Sequence, residues 1–140
     1  MADFSKALAK VLRKEGGYVN DPDDKGGETY KGISRRAHPK NRIWVIIDKY
    51  KEVCGGVNSN FKRKLDKDEE LKNAINVIYK QTYWNVFKLD LMLNQQLAEQ
   101  IFDDAVNRGV ASACKLLCNL LGLPSSSKPT EKLLERLKQF

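Results

Sequence analysis

The sequence predicts a mainly α-helical fold. Apolar residues recur at helical spacing in successive segments, and short polar or glycine-containing connectors separate most of these segments. One stretch differs, because residues 16–32 are rich in turn-forming residues. A chain of 140 residues usually forms one domain. We therefore expect a single domain over 1–140, in which helices form the core and residues 16–32 form a long loop or a small β-hairpin.

The first helix is predicted over roughly residues 3–15. Its apolar stripe consists of Phe4, Ala7, Leu8, Val11 and Leu12. Glu15 continues this stripe and precedes Gly16-Gly17, which tolerate the left-handed turn that often follows a helix. An apolar face and the negative end of the helix dipole both favour the protonated carboxyl group, which a general acid needs. The alternative is a Glu15 side chain that turns to solvent from a frayed last turn.

The remaining elements follow from the same periodicity. Residues 33–37 predict a short helix that His38-Pro39 ends, and residues 43–53 predict a second strong helix. Residues 58–67 are polar and basic and predict a loop or a short turn. Further helices are predicted over residues 68–79 with Asp68 as cap, over 97–107 and 110–121, and after the cap Thr130.

The composition narrows the class of protein. A hydrophobic content of 41% and a charged content of 31% are typical of a globular protein, and a net charge of +7 predicts a polyanionic partner. No apolar run approaches the roughly 20 residues of a membrane span. The chain opens into an amphipathic helix without a signal-peptide core, so we expect it to be cytoplasmic as synthesised. Three cysteines without framework spacing do not indicate a disulfide scaffold. We expect Cys114 and Cys118 to be core residues rather than metal ligands, and Cys54 to lie at a helix end.

The stretch after Glu15 matches neither of two common ligand-binding loops. A calcium loop starting at Asp21 would need oxygen ligands at its fifth and twelfth positions, which are Lys25 and Gly32. No glycine pattern here precedes Lys-Ser or Lys-Thr, so a phosphate loop is excluded as well. Glu15, Asp24 and Thr29 remain, and two carboxyl groups across a cleft are what glycoside hydrolysis requires. Asp24 as an Asx-turn residue and Thr29 as a plain strand residue are the alternatives.

The segment Glu15-Gly-Gly-Tyr-Val-Asn-Asp-Pro-x-Asp-x-Gly-Gly-x-Thr-x-x-Gly-Ile-Ser34 closely resembles the signature of the glycoside hydrolase 108 family. These are phage and bacterial N-acetylmuramidases, some of which are labelled secretion activator proteins. The resemblance implies a lysozyme-like helical fold, cleavage of the bond between N-acetylmuramic acid and N-acetylglucosamine, no cofactor, and Glu15 as the catalytic acid. Phage-type lysozymes are similar more loosely. Their gaps between Glu, Asp and Thr are eight and five residues, against eight and four for Asp24 and Thr29 here.

The resemblance also suggests which residues bind the substrate. Residues 79–84 look like the family's tyrosine–tryptophan helix end. Ordinary core packing is the alternative for Tyr83 and Trp84. Residues 1–90 carry the catalytic signature, and residues 91–140 resemble a degenerate peptidoglycan-binding segment. We expect the sugar chain to be bound by Tyr18, Asn20, Tyr30, Tyr83 and Trp84.

Two other functions are compatible with parts of the sequence. A catalytically inactive relative would still bind peptidoglycan, which is anionic and suits the basic charge. A nucleic-acid-binding protein is suggested by the helix, glycine turn and helix over residues 97–121. The second of these helices, however, presents Cys and Leu where base recognition needs Arg, Asn or Gln. The sequence therefore favours a peptidoglycan hydrolase, which reaches the wall after export or lysis.

Overall fold

The computed structural model describes residues 1–21, 23 and 27–140. Over these residues the chain forms α-helices and one three-stranded antiparallel sheet, as the sequence predicts. The strands are β1 (Tyr18–Asn20), β2 (Glu28–Tyr30) and β3 (Ile33–Ser34). The helices are α1 (Phe4–Lys14), α2 (Arg42–Val53), α3 (Ser59–Lys67), α4 (Glu69–Tyr79), α5 (Gln95–Arg108), α6 (Val110–Leu120) and α7 (Glu131–Leu137). None of the helices in the described part of the chain is long and apolar enough to cross a membrane.

The chain divides into two compact units. One comprises residues Leu12–Val77, and the other comprises Met1–Val11 with Ile78–Phe140, so that the boundaries fall within α1 and α4. The two regions defined on the sequence, 1–90 and 91–140, do not coincide with these units. The unit of residues 12–77 contains the sheet with α2 and α3. Its largest fully buried side chains are Tyr30, Ile43, Trp44, Ile47, Phe61, Leu65, Leu71 and Ile75.

The other unit has an aromatic core. The ring of Trp84 packs edge-on against Phe4 and Phe102, at centroid distances of 5.4 and 5.5 Å. Such pairs stabilise a core beyond the apolar area that they bury. Helix α4 continues directly into a π-helical turn over Lys80–Trp84. Cys114 and Cys118 are free and buried on α6, as expected of core cysteines.

The sheet is a meander that follows α1. In β1 and β2, Tyr18 pairs with Tyr30 and Val19 with Thr29. In β2 and β3, Tyr30 pairs with Ile33, which leaves Lys31-Gly32 as a two-residue turn. Both turn residues have positive φ, 47° for Lys31 and 81° for Gly32. Two positive φ values are the requirement of a type I′ turn, whose twist matches that of the strands.

Two predicted elements are wrong. Residues 33–37 do not form a helix, because Ile33 and Ser34 pair with β2 as strand β3. Residues 58–67 form helix α3 rather than a loop, because the Asn58 side chain accepts the N–H of Phe61 at 2.9 Å and caps the helix. The apolar side of α3 is only the pair Phe61 and Leu65, which is fully buried.

The end of α1 also differs from the prediction. The helix ends at Lys14, so Glu15 lies just beyond it. Neither Gly16 nor Gly17 has positive φ, and the left-handed helix termination expected from this glycine pair is therefore absent.

Candidate active site

Glu15 lies at the junction of α1 and the sheet. Its side chain is partly exposed, and it makes no hydrogen bond or ion pair with the described residues. A Cβ atom added to Gly16 or Gly17 would meet no atom within 4 Å. Glu15 is therefore an accessible carboxyl group beside a stretch of backbone that is open to solvent.

A backbone hydrogen bond connects this junction to the β2–β3 turn. The N–H of Lys31 donates to the carbonyl oxygen of Gly17 at 3.4 Å. Thr29 lies in β2 between its partners Val19 and Ser34 and is partly exposed. Glu15 and strand β2, which contains Thr29, thus lie in the same unit. The hydrogen bond between Lys31 and Gly17 connects the segment after Glu15 to the end of this strand. Asp24, the predicted second carboxylate, lies outside the described residues.

A cluster of charged residues that the sequence did not predict surrounds Glu28, the first residue of β2. The Glu28 carboxylate accepts hydrogen bonds from Tyr18 of β1 and from Lys51 of α2 on one oxygen. Its other oxygen accepts from Arg35 Nη1 at 2.8 Å. Arg35 also binds both carboxylate oxygens of Asp48, at 2.8 and 2.7 Å. Only 9% of the Glu28 side chain is exposed, whereas the side chains of Arg35 and Asp48 are 36% and 46% exposed. The cluster therefore joins the sheet to α2, with Glu28 as its shielded member.

The electrostatics of the cluster favour its charged form. Burial alone would raise the pKa of Glu28, but the hydrogen bonds from Lys51, Tyr18 and Arg35 outweigh burial and hold the pKa below its usual value. The hydrogen bonds from Arg35 likewise lower the pKa of Asp48. Burial and the contact with Glu28 raise the pKa of the Tyr18 hydroxyl. Glu28 is therefore an ionised structural carboxylate, and both of its oxygens already accept hydrogen bonds.

An aromatic ring supports the same cluster. The Arg35 guanidinium lies 5.4 Å from the centroid of the Trp44 ring, which is 1% exposed. This distance is within the range of a cation–π contact. The indole N–H of Trp44 has no hydrogen-bond partner among the described residues.

The predicted sugar-binding residues near the sheet have different environments. Tyr18 is 6% exposed, with its hydroxyl bound to Glu28. Tyr30 is 2% exposed, and its hydroxyl donates to Asp66 at 3.3 Å. Burial, followed by the charge of Asp66, raises the pKa of Tyr30. Asn20 is exposed at the end of β1. Of these three residues, Asn20 alone is exposed.

The predicted tyrosine–tryptophan pair lies in the other unit. Trp84 has no exposed surface, and its indole N–H donates to Asp90 at 2.6 Å. A sugar cannot stack on a ring whose faces are covered, so the prediction of Trp84 as a sugar-binding residue is corrected to core packing. Tyr83 is partly exposed, with its ring centroid 5.8 Å from that of Tyr79.

No metal site is indicated, because the described residues contain no group of three or more His, Cys, Asp or Glu side chains arranged to hold an ion. The Glu15 region instead offers an accessible carboxyl group, an open glycine backbone and a strand with polar side chains. This arrangement suits proton transfer to a polymer that lies across the surface.

Comparison with known proteins identifies the family. The sequence model of Glycosyl hydrolase 108 matches residues 8–109, which include Glu15 and the whole sheet. The structure of SagA from Brucella abortus superposes with a TM-score of 0.62 and 26% sequence identity, and the alignment covers 98% of this chain and 69% of SagA. A search of curated proteins gives no match. The lysozyme-like helical fold is thereby confirmed, and the chain belongs to the glycosyl hydrolase 108 family of peptidoglycan hydrolases.

Proposed function

We propose that the protein is an N-acetylmuramidase that cleaves the β-1,4 bond between N-acetylmuramic acid and N-acetylglucosamine, with Glu15 as the general acid. The observation that carries this proposal is the state of Glu15: an accessible carboxyl group, without a partner among the described residues, in the family-matched segment. A general acid must reach the glycosidic oxygen and exchange its proton. A carboxylate engaged in ion pairs, such as Glu28, is unsuited to this task.

The glycines that follow Glu15 support a substrate site at this position. Glycine is needed where φ is positive, where packing leaves no space, or where a ligand approaches the backbone closely. Gly16 and Gly17 do not have positive φ, and the space beside them is open. Close approach of the glycan to the backbone is the requirement that remains. We accordingly assign this backbone to the floor of the substrate cleft.

The second carboxylate in this proposal is Asp24, as a base that activates water or as a stabiliser of the sugar cation. Glu28 does not compete for the role, because three donors from Lys51, Tyr18 and Arg35 occupy its oxygens. Thr29 is proposed to contact the substrate from β2. Asn20 and Tyr83 remain candidates for sugar binding, since their side chains have exposed surface.

The net charge of +7 agrees with a target in the bacterial wall, whose peptides and attached polymers are anionic. We propose that the protein acts on the wall after export or lysis.

The test compares clearing of purified wall sacculi by the wild type and by Glu15→Gln. The isosteric variant should keep its melting temperature and lose at least about a hundredfold in activity, the low end of general-acid effects. Mass spectrometry of the released fragments should show N-acetylmuramic acid at the reducing end. Glu52→Gln is a matched control, because Glu52 is an exposed glutamate in the last turn of α2 and should tolerate the change.

Wild-type activity in a folded Glu15→Gln protein would refute the assignment of Glu15. N-acetylglucosamine at the new reducing ends would refute the bond specificity while leaving hydrolysis intact. Binding of sacculi without cleavage by the wild type would identify the non-catalytic relative that the sequence left open.

A further inference from the structure

A groove of about 200 Å³ lies in the unit of residues 12–77. It is connected to the segment around Glu15 in two ways, along the sequence and through a backbone hydrogen bond. Its apolar lining comes from Leu12, Tyr30 and Ile75. Leu12 is three residues before Glu15. Lys31, which also lines the groove, donates its backbone N–H to Gly17. These two connections are the basis for considering a ligand that contacts both Glu15 and the groove.

The rim of the groove carries charges of both signs. Lys31 and Lys72 contribute ammonium groups, and Asp66 contributes a carboxylate that accepts the Tyr30 hydroxyl. The Lys72 ammonium lies 3.4 Å from Glu69, in an exposed pair of small energetic value. The Lys31 ammonium lies 5.8 Å from the centroid of the Tyr30 ring. The groove thus offers hydrogen-bond donors, an acceptor and an apolar floor within a small space.

Lys31 has an unusual backbone for a residue of its type. Its φ of 47° is left-handed, a conformation that Asn or Gly adopts more easily in a two-residue hairpin turn. Strained residues of this kind occur more often at ligand-binding sites. The strain is a second observation, independent of the cavity, that points to a ligand at this turn.

The size of the groove limits what it can hold. The volume of the groove is about 200 Å³. This is less than the 300–1,000 Å³ or so of sites that enclose a whole drug-sized ligand. The groove is therefore better suited to one short branch of a polymer than to a whole disaccharide.

The chemistry of the groove selects among such branches. A peptide supplies carbonyl or carboxylate oxygens for the lysines, N–H donors for Asp66, and methyl groups for the apolar floor. A sugar ring needs an exposed aromatic face for stacking, and Tyr30 is only 2% exposed. We propose that this groove binds the start of the stem peptide of peptidoglycan, with Lys31 and Lys72 recognising its carbonyl and carboxylate oxygens. This inference rests on the proposed function, because it takes peptidoglycan as the polymer at Glu15.

The experiment measures binding of two soluble fragments of peptidoglycan, one disaccharide with its stem peptide and one without it. Chemical-shift titrations use the Glu15→Gln protein, so that no turnover occurs. Lys31→Asn removes the ammonium group and keeps a residue that suits the turn. Lys72→Ala removes the second ammonium group from an exposed position. Each variant should weaken binding of the peptide-bearing fragment at least fivefold, without changing binding of the peptide-free fragment.

Lys49→Ala is the matched control for a general loss of positive charge, since Lys49 is an exposed lysine of the same unit outside the groove. An equal loss for both fragments would overturn the proposal in favour of a groove for the acetamido group of the sugar. A protein that carries both Lys31→Asn and Lys72→Ala and still binds the peptide-bearing fragment with unchanged affinity would overturn the proposal as well. Failure of the proposed function would be seen separately, as absence of sacculus hydrolysis by the wild type.

Discussion

One glutamate directly follows the end of α1 and another begins β2, and the surroundings of their side chains are opposite. Glu28 is 9% exposed in its side chain and is held by Lys51, Tyr18 and Arg35. Glu15 is partly exposed and has no hydrogen bond or ion pair within the described part of the chain. The glutamate with the more elaborate surroundings is thus the structural one.

This difference has a chemical reason. A carboxylate that several donors saturate has a lowered pKa and does not release or take up a proton near neutral pH. Such clusters perturb pKa values as strongly as catalytic sites do, so a perturbed pKa alone does not identify a catalytic residue. In this protein the unsaturated carboxyl group beside an open backbone is the better candidate.

The largest effect that separates the two regions should be on stability. Glu28→Gln should lower the free energy of unfolding by about 3 kcal/mol, the lower end for breaking a buried ion pair, because Arg35 retains Asp48 as a partner. Glu15→Gln should change it by less than about 0.5 kcal/mol. Denaturant unfolding of both variants measures the contrast. Equal destabilisation by the two substitutions would remove the distinction between the regions.

A second prediction concerns Asp24, which precedes Glu28 by four residues. As the second carboxylate, Asp24→Asn should lower turnover by about a hundredfold, the low end of acid–base effects, and leave the melting temperature unchanged. An Asx-turn role predicts retained activity, because Asn makes the same turn hydrogen bond. Initial rates of sacculus clearing, measured together with thermal unfolding, decide between the two roles.

The pH dependence of stability gives a smaller effect. Because the pKa of Glu28 is lowered in the folded protein, its contribution to stability is complete above the unfolded value of about 4.3 and is lost as the pH falls through the folded value. Asp48 contributes with the same sign. The difference in melting temperature between wild type and Glu28→Gln should therefore narrow as the pH falls below about 4. A constant difference down to pH 2 would contradict the assigned ionisation.

The smallest effect should come from long-range charge. Helix α3 presents the exposed cations Lys62, Arg63 and Lys64. Their neutralisation should weaken association with sacculi at low salt and should matter less at moderate salt, where the screening length is about 10 Å. Turnover at saturation and the stability of the Glu28 cluster should not change. Neutralising Lys115, Lys128 and Lys132 in the other unit is the control, and an equal effect there would show that net charge alone matters.

The sequence predicted the elements whose signal is local. Helix α1 follows from the spacing of its apolar residues, and α7 follows from a cap at Thr130 that the structure confirms at 3.2 Å. Helix α3 was missed because two buried residues, Phe61 and Leu65, carry its whole apolar side. Strand β3 was missed because its existence depends on pairing with β2.

The residues of the site also differ in whether the sequence predicts them. Glu15 was predicted from its position at a helix end and from the family signature that follows it. The Glu28 cluster was not predicted, because its members come from β1, β2, α2 and the segment after β3 and have no common spacing. The burial of Trp84 was left open, because a tryptophan at a helix end is compatible with both core packing and sugar stacking.

The left-handed Lys31 has an evolutionary consequence. Selection for stability alone would replace Lys31-Gly32 by Asn-Gly, which fits this turn with less strain. Under the proposed role of Lys31 in binding, this lysine exchanges turn stability for affinity, as residues at functional sites often do. The two residues of this turn should then indicate, in the sequences of relatives, whether a protein prefers peptide-bearing walls. Those with a lysine should prefer walls with intact peptides, and those with Asn-Gly should accept bare glycan strands equally well.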